Sequence, residues 1–265
     1  MTAGALQHLL DGISSEKITA FFLVLARVAP MFIFAPMFSS QMLTPRVRTV
    51  IAVAMAIGLT GGAMQGAHVA TDAWSVIGLT LEQLLVGSAL AFAIGAMFAG
   101  VRTAGTLLDA TAGFSFGSML NPLTGAQDAV LSQLYTLVGT AVFIAVGGDA
   151  FVLRGLAKTF QLVPLGKAAS LRSITGGSIA AFSNIFTAAI EVAAPVILAV
   201  LITDIAFGMV SRVVPQLNVF AVGFPVKIAV ALIMVTASLP FLGGWFTDQL
   251  AGSVNLAFHE LGGGF

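Results

Sequence analysis

Four ionisable residues fall inside long apolar runs of the chain: Arg27, Glu82, Glu191 and Asp204. A charge at the centre of a bilayer costs at least ~2.5 kcal/mol, so each of the four calls for a partner or for water. Two chemistries fit. An internal Arg–carboxylate pair would hold helices together, whereas a hydrated row of charges would line a conduit; residue types alone do not separate them. Catalytic patterns are missing. His8, His68 and His259 lie far apart and lack the helical spacing of a metal pair. Cysteine is absent, which excludes disulfides and thiolate metal sites. No P-loop or HExxH motif occurs, and no carboxylates are close enough in sequence to suggest acid–base work. The sequence predicts no enzyme, no metal and no cofactor.

The elements that position these charges follow from composition. Of 265 residues, 58% are hydrophobic and 8% charged, against about 25% charged in soluble domains. Mean hydropathy is +1.04. Eleven bases balance eleven acids, leaving no basic footprint for nucleic acid. A bilayer core of ~30 Å needs about 20 apolar residues at ~1.5 Å each. Runs of that kind cover roughly 18–38, 47–63, 75–101, 129–147, 179–211 and 219–243. They are continuously apolar rather than alternating, which argues for helices and against a β-barrel. The expectation is an all-α, multi-pass membrane protein with about six helical segments, a single integral membrane domain over 1–265. The opening MTAGALQHLLDGISSEK lacks the basic start and cleavage site of a signal peptide, so the first run is expected to be retained.

Several runs are irregular. Pro30 and Pro36 interrupt the first, and Pro195 lies within the long fifth, for which a bent helix or a tight hairpin is expected. Gly87, Ala91, Gly95 and Ala99 recur every four residues in the third run. Such a face of minimal bulk lets two backbones approach closely where lipid offers no hydrophobic drive for association. Between the fourth and fifth runs, Arg154 and Lys158 share one helical face while Phe151, Leu156 and Phe160 can occupy another. That reads as a short amphipathic helix at the interface. Orientation stays open: alternating spans put Lys17, Arg154, Lys158, Lys167 and Arg172 on one side, and Arg46, Arg48, Arg102, Arg212 and Lys227 on the other.

Four stretches carry a family resemblance: LARVAPMFIFAPMFSSQMLTPRVR, GFSFGSMLNPLTGAQDAVLSQL, VLRGLAKTFQLVPLG and SRVVPQLNVFAVGFPVKI. In this order, and spread over almost the full chain, they resemble the FliR family, a membrane subunit of the flagellar type III export gate. That family is related to the SctT-type subunits of virulence secretion systems, although the AVGFP continuation looks more flagellar than injectisome-like. The resemblance implies a non-enzymatic subunit of the bacterial inner membrane, in the flagellar basal body. Its implied partners are FliP-type and FliQ-type gate subunits, FlhA-type and FlhB-type export components, membrane lipid and unfolded flagellar substrates. It also implies kinked, hairpin-like helices wound around a pore. The segment that matches the family's plug contains Gly113, Phe114, Phe116, Gly117, Met119 and Leu120. The aromatic and aliphatic members would fill a narrow lumen, while glycine and Met119 would let it yield. A small-solute transporter remains the alternative, since broken helices with intramembrane charges also build transport sites.

Overall fold

A computed structural model of the protein describes residues 14–35, 44–65, 69, 72–115, 130–167, 170–216 and 218–262. Among the described residues all regular structure is helical: α1 (Ser15–Val28), α2 (Met31–Phe34), α3 (Pro45–Ala63), α4 (Ala73–Ala112), α5 (Val130–Ala145), α6 (Gly148–Leu162), α7 (Leu171–Val213) and α8 (Val219–Gly262). Five stretches are long and apolar enough to cross a membrane, or six if α5 and α6, bent by 70°, count as one span. The chain is a multi-pass helical membrane protein.

Local chemistry sets the helix ends. A side-chain oxygen accepts the first free backbone N–H groups at four starts: Ser14 from Lys17, Asp72 from Ser75, Ser170 from Ser173 and Asn218 from Ala221. Pro45 opens α3, where a missing N–H costs nothing. Pro30 separates α1 from α2 for the opposite reason: its ring cannot continue the hydrogen-bond ladder. Gly147 takes φ +72 at the α5–α6 bend, a left-handed conformation that suits glycine.

α4, α7 and α8, at 40, 43 and 44 residues, are much longer than the apolar runs that mark them. Hydropathy reads only their greasiest portions. α7 is one continuous helix with Pro195 inside it, so the tight-hairpin expectation for this region does not hold.

Contacts divide the chain into two compact units, Met1–Gly95 with Asp149–Ala181 and Ala251–Phe265, and Ala96–Gly148 with Phe182–Leu250. In the first, α1 packs on α3, and Ala20, Leu23 and Val24 of α1 and the small residues Ala52 and Ala56 of α3 are buried. Val86 of α4 joins Val163 and Ile174 in a neighbouring apolar cluster. In the second, Phe98 stands edge-on to Phe143 and Phe246, with ring centroids 5.1 and 5.7 Å away. This geometry suits the aromatic quadrupole. A methyl added at Gly100 would lie 2.7 Å from the Ala188 Cβ, and one at Gly105 would lie 2.8 Å from the Leu131 oxygen. Both glycines therefore set helix–helix spacing that the apolar runs did not reveal.

Candidate functional site

The four intramembrane charges have different surroundings. Arg27, on the last turn of α1, is fully buried in the first unit. Its Nε donates to Gln83 Oε1 at 2.7 Å, Nη1 to the Thr159 carbonyl at 3.0 Å, and Nη2 to the Val163 carbonyl at 2.8 Å. The guanidinium also sits 4.3 Å from the Phe160 ring centroid. Thr159 lies in the last turn of α6 and Val163 just beyond it; the Thr159 carbonyl also accepts from the Val163 N–H at 2.9 Å, whereas the Val163 carbonyl lies past the helix end, at the negative end of the helix dipole. Arg27 is thus a cap for α6 supplied by α1. Its partners among the described residues are an amide, a hydroxyl and two carbonyls.

Glu82 is half-buried, and its Oε2 has no hydrogen-bond partner among the described residues. Glu191 accepts from Trp245 Nε1 at 2.9 Å and from Gln249 Nε2 at 3.4 Å, tying α7 to α8. Asp204 makes the ion pair, with Lys227 Nζ 2.7 Å from Oδ2. Lys227 stands in the most apolar part of α8; counted by sequence as a topology charge, it is the intramembrane partner of Asp204.

The small-residue face of α4 lies against the start of the chain. A methyl at Gly87 would overlap the Arg27 carbonyl oxygen, and one at Gly95 would lie 2.8 Å from the Phe34 oxygen. Ala91 is completely buried between them, and Ala99 is half-buried. Helix α6 has Arg154 and Lys158 exposed; of the three apolar residues that the sequence sets apart from them, Leu156 and Phe160 are buried and Phe151 is half-buried.

Of the plug residues, Gly113 and Phe114 are described; Phe116, Gly117, Met119 and Leu120 lie outside the described residues. Gly113 takes φ +94, a region L-residues rarely adopt, and a Cβ there would lie 2.6 Å from a Phe224 ring carbon. Around this contact the second unit has a cleft of about 410 Å³. Its walls are the Phe207, Phe220 and Phe224 rings, with the Asp204–Lys227 pair among them. Phe220 and Phe224 stack with centroids 5.8 Å apart, and Gly223 leaves room for the Phe207 ring. The cleft joins a charge pair and aromatic walls at the point where α4 ends.

One buried residue escaped the sequence reading. Asp109, only 1% exposed on α4, accepts from the backbone N–H groups of Leu131 and Ser132, each at 3.0 Å. A carboxylate from one helix therefore caps the N-terminus of another, where unpaired N–H groups and the dipole favour a negative charge. Asp109 lies past the third apolar run, so a search for charges inside runs misses it. Its signal was a lone acid four residues before Gly113.

Residues 18–253 match the family described as bacterial export proteins, family 1. The chain belongs to that family. It is 30% identical over 221 residues to the flagellar biosynthetic protein FliR of Bacillus subtilis, covering 82% of this chain and 84% of that one. With FliR of Escherichia coli it shares 27% over 222 residues, 84% and 85% of the two chains. The surface presentation of antigens protein SpaR of Shigella flexneri is 26% identical over 215 residues, 80% and 82% of the two. This family member is a structural membrane component of an export system rather than an enzyme.

Proposed function

We propose that this protein is a pore-forming and gating subunit of a type III export apparatus, flagellar in type, which passes unfolded flagellar proteins across the bacterial inner membrane. FliP-type and FliQ-type subunits would surround it, with FlhA-type and FlhB-type components acting alongside. One observation carries the reading: the two longest helices, α7 and α8, leave most of their apolar stretches uncovered by this chain. Only 17% of the apolar stretch of α8 and 33% of that of α7 are buried, and Phe182, Phe186, Ile190, Phe220, Ile233 and Phe241 are exposed. Companion helices around a conduit account for that surface and for the full-length likeness to export proteins together. A lone transporter must instead enclose its substrate within its own helices.

Gly113 and Phe114 then serve the gate. The left-handed backbone at Gly113 turns the chain out of α4 against Phe224; Phe116, Gly117, Met119 and Leu120, which follow in sequence, would supply the rest of a water-excluding plug. The deciding experiment is purification from native membranes. Recovery in a large detergent-stable complex with small hydrophobic companions supports the reading; a well-behaved monomer catalysing saturable solute uptake overturns it. Injectisome relatives match almost as well as flagellar ones, and the PQLNVFAVGFPVK stretch favours the flagellar system. Deletion in the source bacterium should abolish filament assembly; intact filaments with lost effector secretion would reverse that assignment.

A further inference from the structure

Glu191 has an incomplete shell. It stands twelve residues beyond Ile179, where the apolar run of α7 begins, a rise of ~18 Å. Both hydrogen bonds to its carboxylate, from Trp245 and Gln249, fall on Oε2. Among the described residues no donor reaches Oε1 and no cation pairs with the group. Lys227, the lysine of the same unit, is committed to Asp204 at 2.7 Å. A second acceptor lies next to the first. Pro195 has no N–H to give the carbonyl four residues earlier, which is that of Glu191. Glu191 and Pro195 border a cleft of about 370 Å³ between α7 and α8, lined also by Met234, Ser238, Phe241 and Leu242. Ser238 donates its hydrogen to the Val235 carbonyl at 2.8 Å, so the Tyr135 hydroxyl, 3.4 Å from its oxygen, is the donor in that pair.

We infer that this cleft takes a lysine side chain presented by a companion membrane helix, its ammonium on Glu191 and its aliphatic stem against Met234, Phe241 and Leu242. The inference rests on the export-gate reading above and names one contact within it. Charge complementarity requires a cation, because a membrane carboxylate without one is costly. The geometry selects lysine over arginine. Arginine prefers two carboxylate oxygens in a planar fork, and Oε2 is taken. An ammonium offers separate donors on a flexible apolar stem, matching Oε1 and the Glu191 carbonyl. Depth selects a protein over a lipid amine, which is held at the headgroup level.

The test is zero-length carbodiimide coupling in native membranes that contain the assembled complex. The reagent condenses the Glu191 carboxylate with a lysine amine in direct contact, losing water to form an amide. The expected adduct joins the Glu191 peptide to a lysine within an apolar helix of another subunit. Glu191→Gln keeps an acceptor for Trp245, abolishes the adduct and lowers recovery of the complex about tenfold, the factor equivalent to ~1.4 kcal/mol. An amide to phosphatidylethanolamine, or no adduct in an intact complex, overturns the inference while leaving the export-gate reading standing. Failure to recover any complex from wild-type membranes sinks that reading, and this contact with it.

Discussion

Replacing Arg27 with methionine keeps a long, flexible side chain but removes every donor. The substitution strands Gln83 Oε1 and the Val163 carbonyl, acceptors now held at 2.7 and 2.8 Å, and takes a second donor from the Thr159 carbonyl, which keeps the Val163 N–H. Hydrogen bonds to a charged group contribute about 1.5–3 kcal/mol each, and a buried acceptor left alone costs roughly 1–3. Against this, the variant no longer buries a guanidinium, whose effective desolvation amounts to several kcal/mol. The difference leaves a net loss of about 2–4 kcal/mol, within the range for breaking a buried network. On a chain of this size each kcal/mol moves the midpoint roughly 2–4 °C, so a fall of ~4–15 °C is expected. Thermal unfolding in mild detergent, followed through Trp74 and Trp245 emission, measures it. Arg27→Lys should recover only part of the loss, since one ammonium cannot span acceptors on both α4 and α6. Wild-type midpoints for both variants would refute the capping account. So would full rescue of Arg27→Glu by Glu82→Arg, which would establish a charge pair in its place.

Asp109→Asn should weaken α5 docking by roughly 2–4 kcal/mol, because an amide replaces a carboxylate on two helix-terminal N–H groups; proteolysis after Ala112 should accelerate, and unchanged cleavage would count against the cap. Gly95→Leu should block recovery of folded protein, since even a Cβ would lie 2.8 Å from the Phe34 oxygen. Gly58→Ala, where nothing lies within 4 Å, should be neutral or stabilise by up to about 1 kcal/mol. Alanine at both Phe114 and Phe116 should make the assembled gate leak small solutes without disassembly; a tight barrier in an intact complex excludes the plug role. The Asp72 carboxyl is held below its ordinary value by the Ser75 backbone N–H. Its contribution is therefore present above the unfolded carboxylate pKa of about 3.9 and is lost as pH falls through the lower folded value. Asp72→Asn should flatten the midpoint-versus-pH curve in that acid window, and an identical curve would dismiss the cap.

Hydrophobic run length determined that this chain is helical and belongs in a membrane, because a bilayer admits continuous apolar segments only as helices with their backbone bonds closed. The four-residue rhythm of Gly87, Ala91 and Gly95 was likewise legible, since 3.6-residue periodicity places such positions on one face. The quoted motifs were enough to name the family. Partnership was not legible. Arg27 meets α6 carbonyls more than 130 residues away, Lys227 finds Asp204 and Asp109 finds the start of α5 because backbones cross there. A carbonyl's availability as an acceptor is a property of where a helix ends in space. Only the tertiary structure could show which charges were matched and which, like Glu191, are exposed without a cation among the described residues.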